Sequence, residues 1–154
     1  MRGDTLSSCH RVGVLMSATF RVFAIMLLFC CVTCFAREGI VVVANVKNTS
    51  LKLSRQEVRN LFMGGASEYA LTAIALPPET HTRVLFNTKV VGLTESRIRS
   101  YWAQMKFSGR RQQPKELQSE QSVLDYVKNN HNAVGYLSSA MEIPNELTIL
   151  FEIK

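Results

Sequence analysis

The sequence predicts an α/β domain in which helices flank a mixed sheet. Short apolar runs rich in β-branched residues alternate along the chain with segments whose apolar residues recur at helical spacing. No internal repeat or low-complexity tract interrupts this alternation. Strands interleaved with helices favour a layered fold whose sheet is at least partly parallel, because a helix usually connects two parallel strands.

The first strand and helix are predicted from two adjacent patterns. The run Ile40–Val46 (IVVVANV) is almost entirely β-branched, as in a strand that is buried on both faces. After a polar turn, Ser54 and Glu57 have the spacing of a capping box, in which each side chain accepts the other residue's free backbone N–H. A helix should therefore begin near Arg55 and end at Gly64-Gly65. Its apolar stripe consists of Val58, Leu61 and Phe62.

The remaining elements follow the same periodicities. Strands are predicted at Leu71–Leu76, Ala133–Leu137 and Leu147–Ile153, and helices at Arg83–Val91, after the cap Thr94 and after the cap Ser119. The helix after Thr94 is the clearest, because its apolar residues lie at i, i+3, i+4 and i+7. These residues are Ile98, Tyr101, Trp102 and Met105. The stretch from Phe107 to Pro114 is predicted to be a basic polar loop.

The N-terminal part of the chain has the pattern of an export signal. Val22–Ala36 is an uncharged run of 15 residues that follows Arg21 and closes on Cys34-Phe35-Ala36. We expect cleavage after Ala36, which would leave residues 37–154 as one periplasmic domain with no stable membrane anchor. A permanent anchor is the alternative, although a spanning helix needs roughly 20 residues. The leader before Arg21 is long and polar, so Met16 is a possible true start.

The cysteines and the charges limit the chemistry of that domain. All four cysteines lie in or before the signal, so residues 37–154 can form no disulfide and offer no thiol nucleophile. The whole chain has a formal net charge of +6, and residues 37–154 carry 15 Lys and Arg against 11 Asp and Glu. This excess favours anionic partners.

The residues needed for catalysis are scarce. Residues 37–154 contain two histidines, His81 and His131, and one aspartate, Asp125. They contain no Gly-x-Ser-x-Gly elbow and no pair of residues at metal-ligand spacing. The sequence therefore predicts a protein that is not an enzyme and holds no metal or cofactor.

A basic segment between Arg97 and Lys115 invites a nucleic-acid interpretation. It carries several arginines and lysines, no acidic residue, and the aromatic residues Tyr101, Trp102 and Phe107. However, Tyr101 and Trp102 belong to the apolar stripe of the predicted helix and should lie in the core. We expect a solvated basic face and no nucleic acid, because an exported protein rarely meets one. An anionic partner or a membrane surface remains the alternative.

Two polar segments are candidates for binding an anion. Thr80-His81-Thr82-Arg83 places two hydroxyls and a guanidinium at a predicted helix N-terminus, where the helix dipole favours negative charge. Asn48, Thr49 and Ser50 follow the first strand, and ligands of open α/β sheets bind beyond strand ends. Ordinary helix capping and a polar turn are the alternative interpretations.

Several segments, in order, resemble the phosphate-type periplasmic substrate-binding proteins of ABC transporters, and in particular their small single-domain relatives. The segments are VVVANV, SRQEVRNLFMGG, TRVLFNTKVVG, YWAQMKFSG and VLDYVKNNHNAVGYL. The resemblance implies a type II periplasmic binding-protein fold, in which two lobes close on a tetrahedral oxyanion held by backbone N–H groups, hydroxyls and one arginine. The matched residues correspond to little more than one lobe.

The resemblance also implies where this chain departs from the family. The family has an arginine and then Gly-Ser-Gly-Thr before a helix, where this chain has Leu76 and then Glu79-Thr80-His81-Thr82. Both hydroxyls are kept at Thr80 and Thr82, but the arginine and both glycines are lost. The resemblance thus implies a non-catalytic domain that binds phosphate or another small oxyanion, with hydroxyls from Thr80 and Thr82. Together with the two polar segments above, this gives five candidate anion-binding residues: Thr80, Thr82, Arg83, Asn48 and Ser50. The alternative is a module that has lost anion binding and contacts an envelope protein.

Overall fold

A five-stranded mixed sheet forms the centre of the part of the chain that the structure describes. The structure is a computed structural model and describes residues 38–109 and 111–154. The predicted signal and its cleavage site lie outside the described residues. The strands are β1 (Ile40–Ala44), β2 (Thr72–Ala75), β3 (Lys115–Glu116), β4 (Ala133–Ser138) and β5 (Thr148–Ile153), and their order in the sheet is β3-β2-β4-β1-β5.

The strand directions confirm a mixed sheet. β2 runs parallel to β3 and β4, whereas β1 runs antiparallel to both of its neighbours, β4 and β5. All five residues of β1 are buried, as the β-branched run predicts. β1 therefore lies between β4 and β5 as an antiparallel strand.

Four α-helices accompany the sheet in the described residues, and their starts were largely predictable. They are α1 (Arg55–Phe62), α2 (His81–Phe86), α3 (Glu95–Phe107) and α4 (Glu120–Asn129). The capping box of α1 is confirmed, since the Ser54 N–H donates to Glu57 Oε2 at 2.7 Å and the Glu57 N–H donates to Ser54 Oγ at 3.3 Å. Hydrogen bonding of the Glu57 carboxylate to the Ser54 side chain, and then to its backbone N–H, lowers the pKa of Glu57. Gly64, with φ of 68°, follows the helix in the left-handed conformation.

The helix predicted at Arg83–Val91 differs in two ways. It begins two residues earlier, at His81, because Thr80 already has extended backbone angles and stands at the N-cap. Beyond Phe86 it continues as a π-helical segment over Asn87–Val91, in which the Gly92 N–H donates to the Asn87 carbonyl at 2.7 Å. The wider turn buries Asn87 together with both Val90 and Val91.

A strand that the sequence did not reveal follows directly after the predicted basic loop. Lys115 and Glu116 form β3 and pair with Ile74 and Ala75 of β2. Both side chains of β3 are exposed, so the hydrophobic pattern carries no signal of a strand. Backbone hydrogen bonding at the edge of the sheet decides this element.

The core packs the helices closely against the central strands. The rings of Phe86 and Tyr136 stack at 4.0 Å between centroids, and Phe62 meets both rings edge-on. At Gly135 in β4 there is no room for a side chain, because a Cβ would overlap Val123 of α4. On α3, Ile98 and Trp102 are buried as predicted, whereas Tyr101 and Met105 are partly buried. None of the described helices is both long and apolar enough to span a bilayer.

Candidate functional site

The first candidate segment lies beyond the carboxyl end of β2, where a short loop leads into α2. Thr80 stands at the N-cap of α2, but its side chain does not cap the helix. Its hydroxyl donates instead to the Pro77 carbonyl at 2.8 Å. The hydroxyl of Thr80 is therefore engaged within its own loop.

Arg83 is buried and its guanidinium is held on three sides. It is 7% exposed, although an arginine on a short surface helix would ordinarily extend into solvent. Its Nε and Nη2 donate to the two carboxylate oxygens of Glu95, at 3.0 and 2.9 Å. Its Nη1 donates to Glu116 Oε1 at 2.8 Å and to the Leu76 carbonyl at 2.5 Å. This arrangement includes a bidentate arginine–carboxylate pair, which fixes the geometry as well as the charge.

Burial and pairing have opposite effects on the charge of Arg83. Burial lowers its pKa, but the hydrogen bonds and charge of Glu95, with help from Glu116, hold the pKa above its ordinary value. The neighbouring Tyr136 hydroxyl accepts the Leu76 N–H at 3.0 Å. Burial raises the pKa of Tyr136 to about 12. Arg83 therefore stays charged, and Tyr136 stays neutral, at any physiological pH.

Thr82 is also buried, and a carboxylate of α4 occupies its hydroxyl. Thr82 is 5% exposed, and its Oγ1 donates to Glu120 Oε1 at 2.5 Å. The second oxygen of Glu120 accepts the backbone N–H of Ser138, at the end of β4, at 2.7 Å. One carboxylate thus bridges a hydroxyl and a backbone N–H, which are the kinds of donor that would otherwise bind a small oxyanion.

Further carboxylates stand near the start of α2. The side chain of His81 contacts the carboxylate of Glu38, which precedes β1, and Glu79 is exposed in the loop before the helix. Glu95 and Glu116 contact Arg83, and Glu120 contacts Thr82, so the first turn of α2 is surrounded by negative charge. Such surroundings oppose the approach of an anion.

The second candidate segment lies at the opposite end of the strands, away from the carboxyl ends of β2 and β4. Asn48 and Ser50 are exposed in the turn after β1, where the Ser50 N–H donates to Asn48 Oδ1 at 3.1 Å. Because β1 is antiparallel to β4, its last residue, Ala44, pairs with Val134 near the start of β4. The structure therefore does not bring Asn48 and Ser50 together with Thr80, Thr82 and Arg83, and the role of each in anion binding stays a prediction.

Sequence reasoning missed the residues that surround Arg83. Glu95 and Glu120 are the first residues of α3 and α4, where an acidic residue is ordinarily explained by the helix dipole. Leu76, which the resemblance aligns with the family's arginine, is fully buried, and its backbone groups reach the site. No local pattern in the sequence indicates that these residues meet.

Metal binding has no support in the described residues. Between Glu38 and Lys154, leaving out Arg110, no group of three or more His, Cys, Asp or Glu side chains is placed to hold a metal ion. The chemistry available around Arg83 is hydrogen bonding and charge pairing.

The fold is similar to part of the solved phosphate-type substrate-binding proteins, which confirms the resemblance at the level of the fold. The chain is similar to an ABC-type phosphate transport receptor from Vibrio cholerae, with 17% identity, a TM-score of 0.54, and coverage of 73% of this chain and 45% of that one. It is also similar to a protein from Clostridium perfringens described as a phosphate ABC transporter substrate-binding protein with bound phosphate. There the identity is 16%, the TM-score 0.54, and the coverage 73% of this chain and 44% of that one.

The likeness is one of fold over part of those proteins. The chain spans less than half the length of the solved proteins to which it is similar. No protein-family model matches the sequence, and no curated protein matches it at a significant level.

Proposed function

We propose that residues 37–154 form a non-catalytic, extracytoplasmic domain that acts by binding an envelope protein. In this proposal the domain keeps a solute-binding-protein fold, but its own carboxylates and backbone carbonyls take the donors that would otherwise hold an anion. The observation that carries the proposal is the engagement of the three predicted side chains at the start of α2. Thr80, Thr82 and Arg83 each hydrogen-bond within the chain.

Electrostatics supports the same proposal. A phosphate reaching Thr82 or Arg83 would approach Glu95, Glu116 and Glu120, while Arg83 is already paired with two of them. Two like charges about 5 Å apart repel by roughly 3 kcal/mol at an effective dielectric constant near 20. Solvent reduces that cost, because Glu95 and Glu116 are 23% and 34% exposed, but one guanidinium does not offset three carboxylates.

Calorimetric titration of the purified protein with phosphate and sulfate tests the loss of anion binding. We expect no saturable heat up to millimolar ligand. The matched variants Thr80→Ala and Thr82→Ala should give the same flat titration. Micromolar binding that either variant abolishes would contradict the proposal.

Oxyanion binding is the second candidate function. It is favoured by the fold of the two solved proteins, one of which is described with bound phosphate. In this candidate Thr80 and Thr82 contribute hydroxyls and Glu120 moves away from Thr82. The same titration decides between the two functions.

The extracytoplasmic location rests on the predicted signal and has its own test. Cleavage after Ala36 should give a mature protein that begins at Arg37. We expect intact-mass spectrometry of the protein from the producing cell to show that N-terminus. A mass that retains the apolar run Val22–Ala36 would contradict cleavage and support a permanent anchor.

A further inference from the structure

A basic groove lies between α3 and the extended segment that precedes β3. It has a volume of about 940 Å³, within the roughly 300–1,000 Å³ range of ligand pockets. Its polar and aromatic lining residues are Arg99, Trp102, Lys106, Arg111, Gln112 and Gln113. None of the described residues that line the groove is acidic.

The cations of α3 form one wall of the groove. Arg99, Ala103 and Lys106 are spaced by four and three residues, so they share one face of the helix, with a small residue between the charges. Arg99 and Lys106 are exposed. In the part of the chain that the structure describes, neither forms an ion pair, so their charge is available to a partner.

The opposite wall holds a third cation in a fixed position. The side chain of Arg111 packs beside Gly64, next to the ring of Trp102. Its Nη1 donates to the Gly65 carbonyl at 3.1 Å, which uses one of the five guanidinium N–H donors. Because Gly64 has no side chain, Arg111 and Trp102 can both approach the backbone there. The groove therefore presents Arg111 in a largely preorganised geometry.

We propose that this groove binds an acidic, extended segment of a protein partner; this inference rests on the proposed function as an interaction domain. Arginine pairs with carboxylates through two parallel hydrogen bonds, and cations on both walls of the groove match carboxylates spaced along one chain. Gln112 and Gln113 each offer both a donor and an acceptor, which suits a peptide backbone. A concave site fits a chain better than it fits the flat surface of a membrane.

Fluorescence polarisation with a fluorescein-labelled, glutamate-rich peptide tests the proposal on the purified protein. The peptide should bind at low ionic strength, and added salt should weaken the binding. The double variant Arg99→Gln/Lys106→Gln should weaken it by about tenfold, since two charge-assisted hydrogen bonds are lost. The matched control Lys47→Gln/Lys154→Gln removes the same charge outside the groove and should change the affinity less than about twofold.

Three outcomes would overturn the proposal. They are no binding of the peptide, equal weakening by the two double variants, and tighter binding of anionic lipid vesicles or a single-stranded oligonucleotide than of the peptide. Failure here is distinguishable from failure of the proposed function. Phosphate heats in the calorimeter would contradict the loss of anion binding, whereas an unbound peptide would contradict the groove alone.

Discussion

Replacing Arg83 with alanine is expected to lower the free energy of unfolding by about 3 kcal/mol, measured by urea denaturation. Removing one partner of a buried ion pair typically costs roughly 3–5 kcal/mol, because the other charge stays behind without compensation. Here Glu95, Glu116 and the Leu76 carbonyl would all lose the hydrogen bonds that Arg83 donates. Glu95 would keep the bond from the Asn87 side-chain amide, at 2.8 Å. The lower end of that range applies, because water can partly solvate the two carboxylates, which are 23% and 34% exposed.

Two further variants identify the origin of this loss. Arg83→Lys keeps the charge but cannot reproduce the bidentate bond to Glu95, so it should recover only part of the stability. Arg97→Ala removes an exposed arginine from α3 and should change the stability by less than about 0.5 kcal/mol. If Arg83→Ala were as stable as the native protein, the ion pairs of Arg83 would not stabilise the fold. Arg83 would then again be a candidate for binding a ligand.

Replacing Tyr136 with alanine is expected to cost about 3–5 kcal/mol of unfolding free energy, the typical loss when a buried aromatic residue is truncated. Tyr136 is 1% exposed, stacks on Phe86 and meets Phe62 edge-on. Its hydroxyl also accepts the Leu76 N–H, which would be left buried without an acceptor. Urea or thermal denaturation measures the loss.

Tyr136→Phe separates the ring from the hydroxyl. This variant keeps the aromatic packing and should cost only about 1–3 kcal/mol, the penalty for an unsatisfied buried N–H. A loss as large as that of the alanine variant would contradict the assignment of most of the stability to ring packing.

The same residue predicts a dependence of stability on alkaline pH. Burial raises the pKa of Tyr136 to about 12 from an ordinary value of 10.0. Between those two values the folded state keeps the phenol proton that the unfolded state loses, so stability should fall as pH rises through this window. Tyr136→Phe should remove this part of the decline.

Local patterns predicted much of the fold. The capping box of Ser54 and Glu57 was predictable because its two partners are three residues apart and each satisfies the other's backbone N–H. The burial of β1 and of Ile98 and Trp102 was predictable because burial follows the period of the element that carries the residues. β3 was missed because Lys115 and Glu116 are exposed and only their pairing with β2 makes them a strand.

The candidate site was less predictable, because it depends on contacts between distant parts of the chain. The residues Thr80, Thr82 and Arg83 could be selected from the sequence as donors near a helix N-terminus. Their partners could not, since Glu95 is 12 residues from Arg83, Glu116 is 33 residues away, and Glu120 is 38 residues from Thr82. Likewise, the rule that ligands bind beyond the carboxyl ends of parallel strands selected Asn48 and Ser50. Because β1 is antiparallel to β4, these two residues lie at the opposite end of the strands from Thr80, Thr82 and Arg83.

The sequence by itself determined the alternation of strands and helices, the buried central strand and the basic character of the segment after Arg97, because composition and short-range periodicity carry these properties. Only the tertiary structure decided that the donors of α2 are satisfied by the chain's own carboxylates and that Arg99, Lys106 and Arg111 face one groove. The physical reason is that hydrogen bonding and charge pairing depend on distances of a few ångströms, which folding creates between residues that the sequence holds far apart.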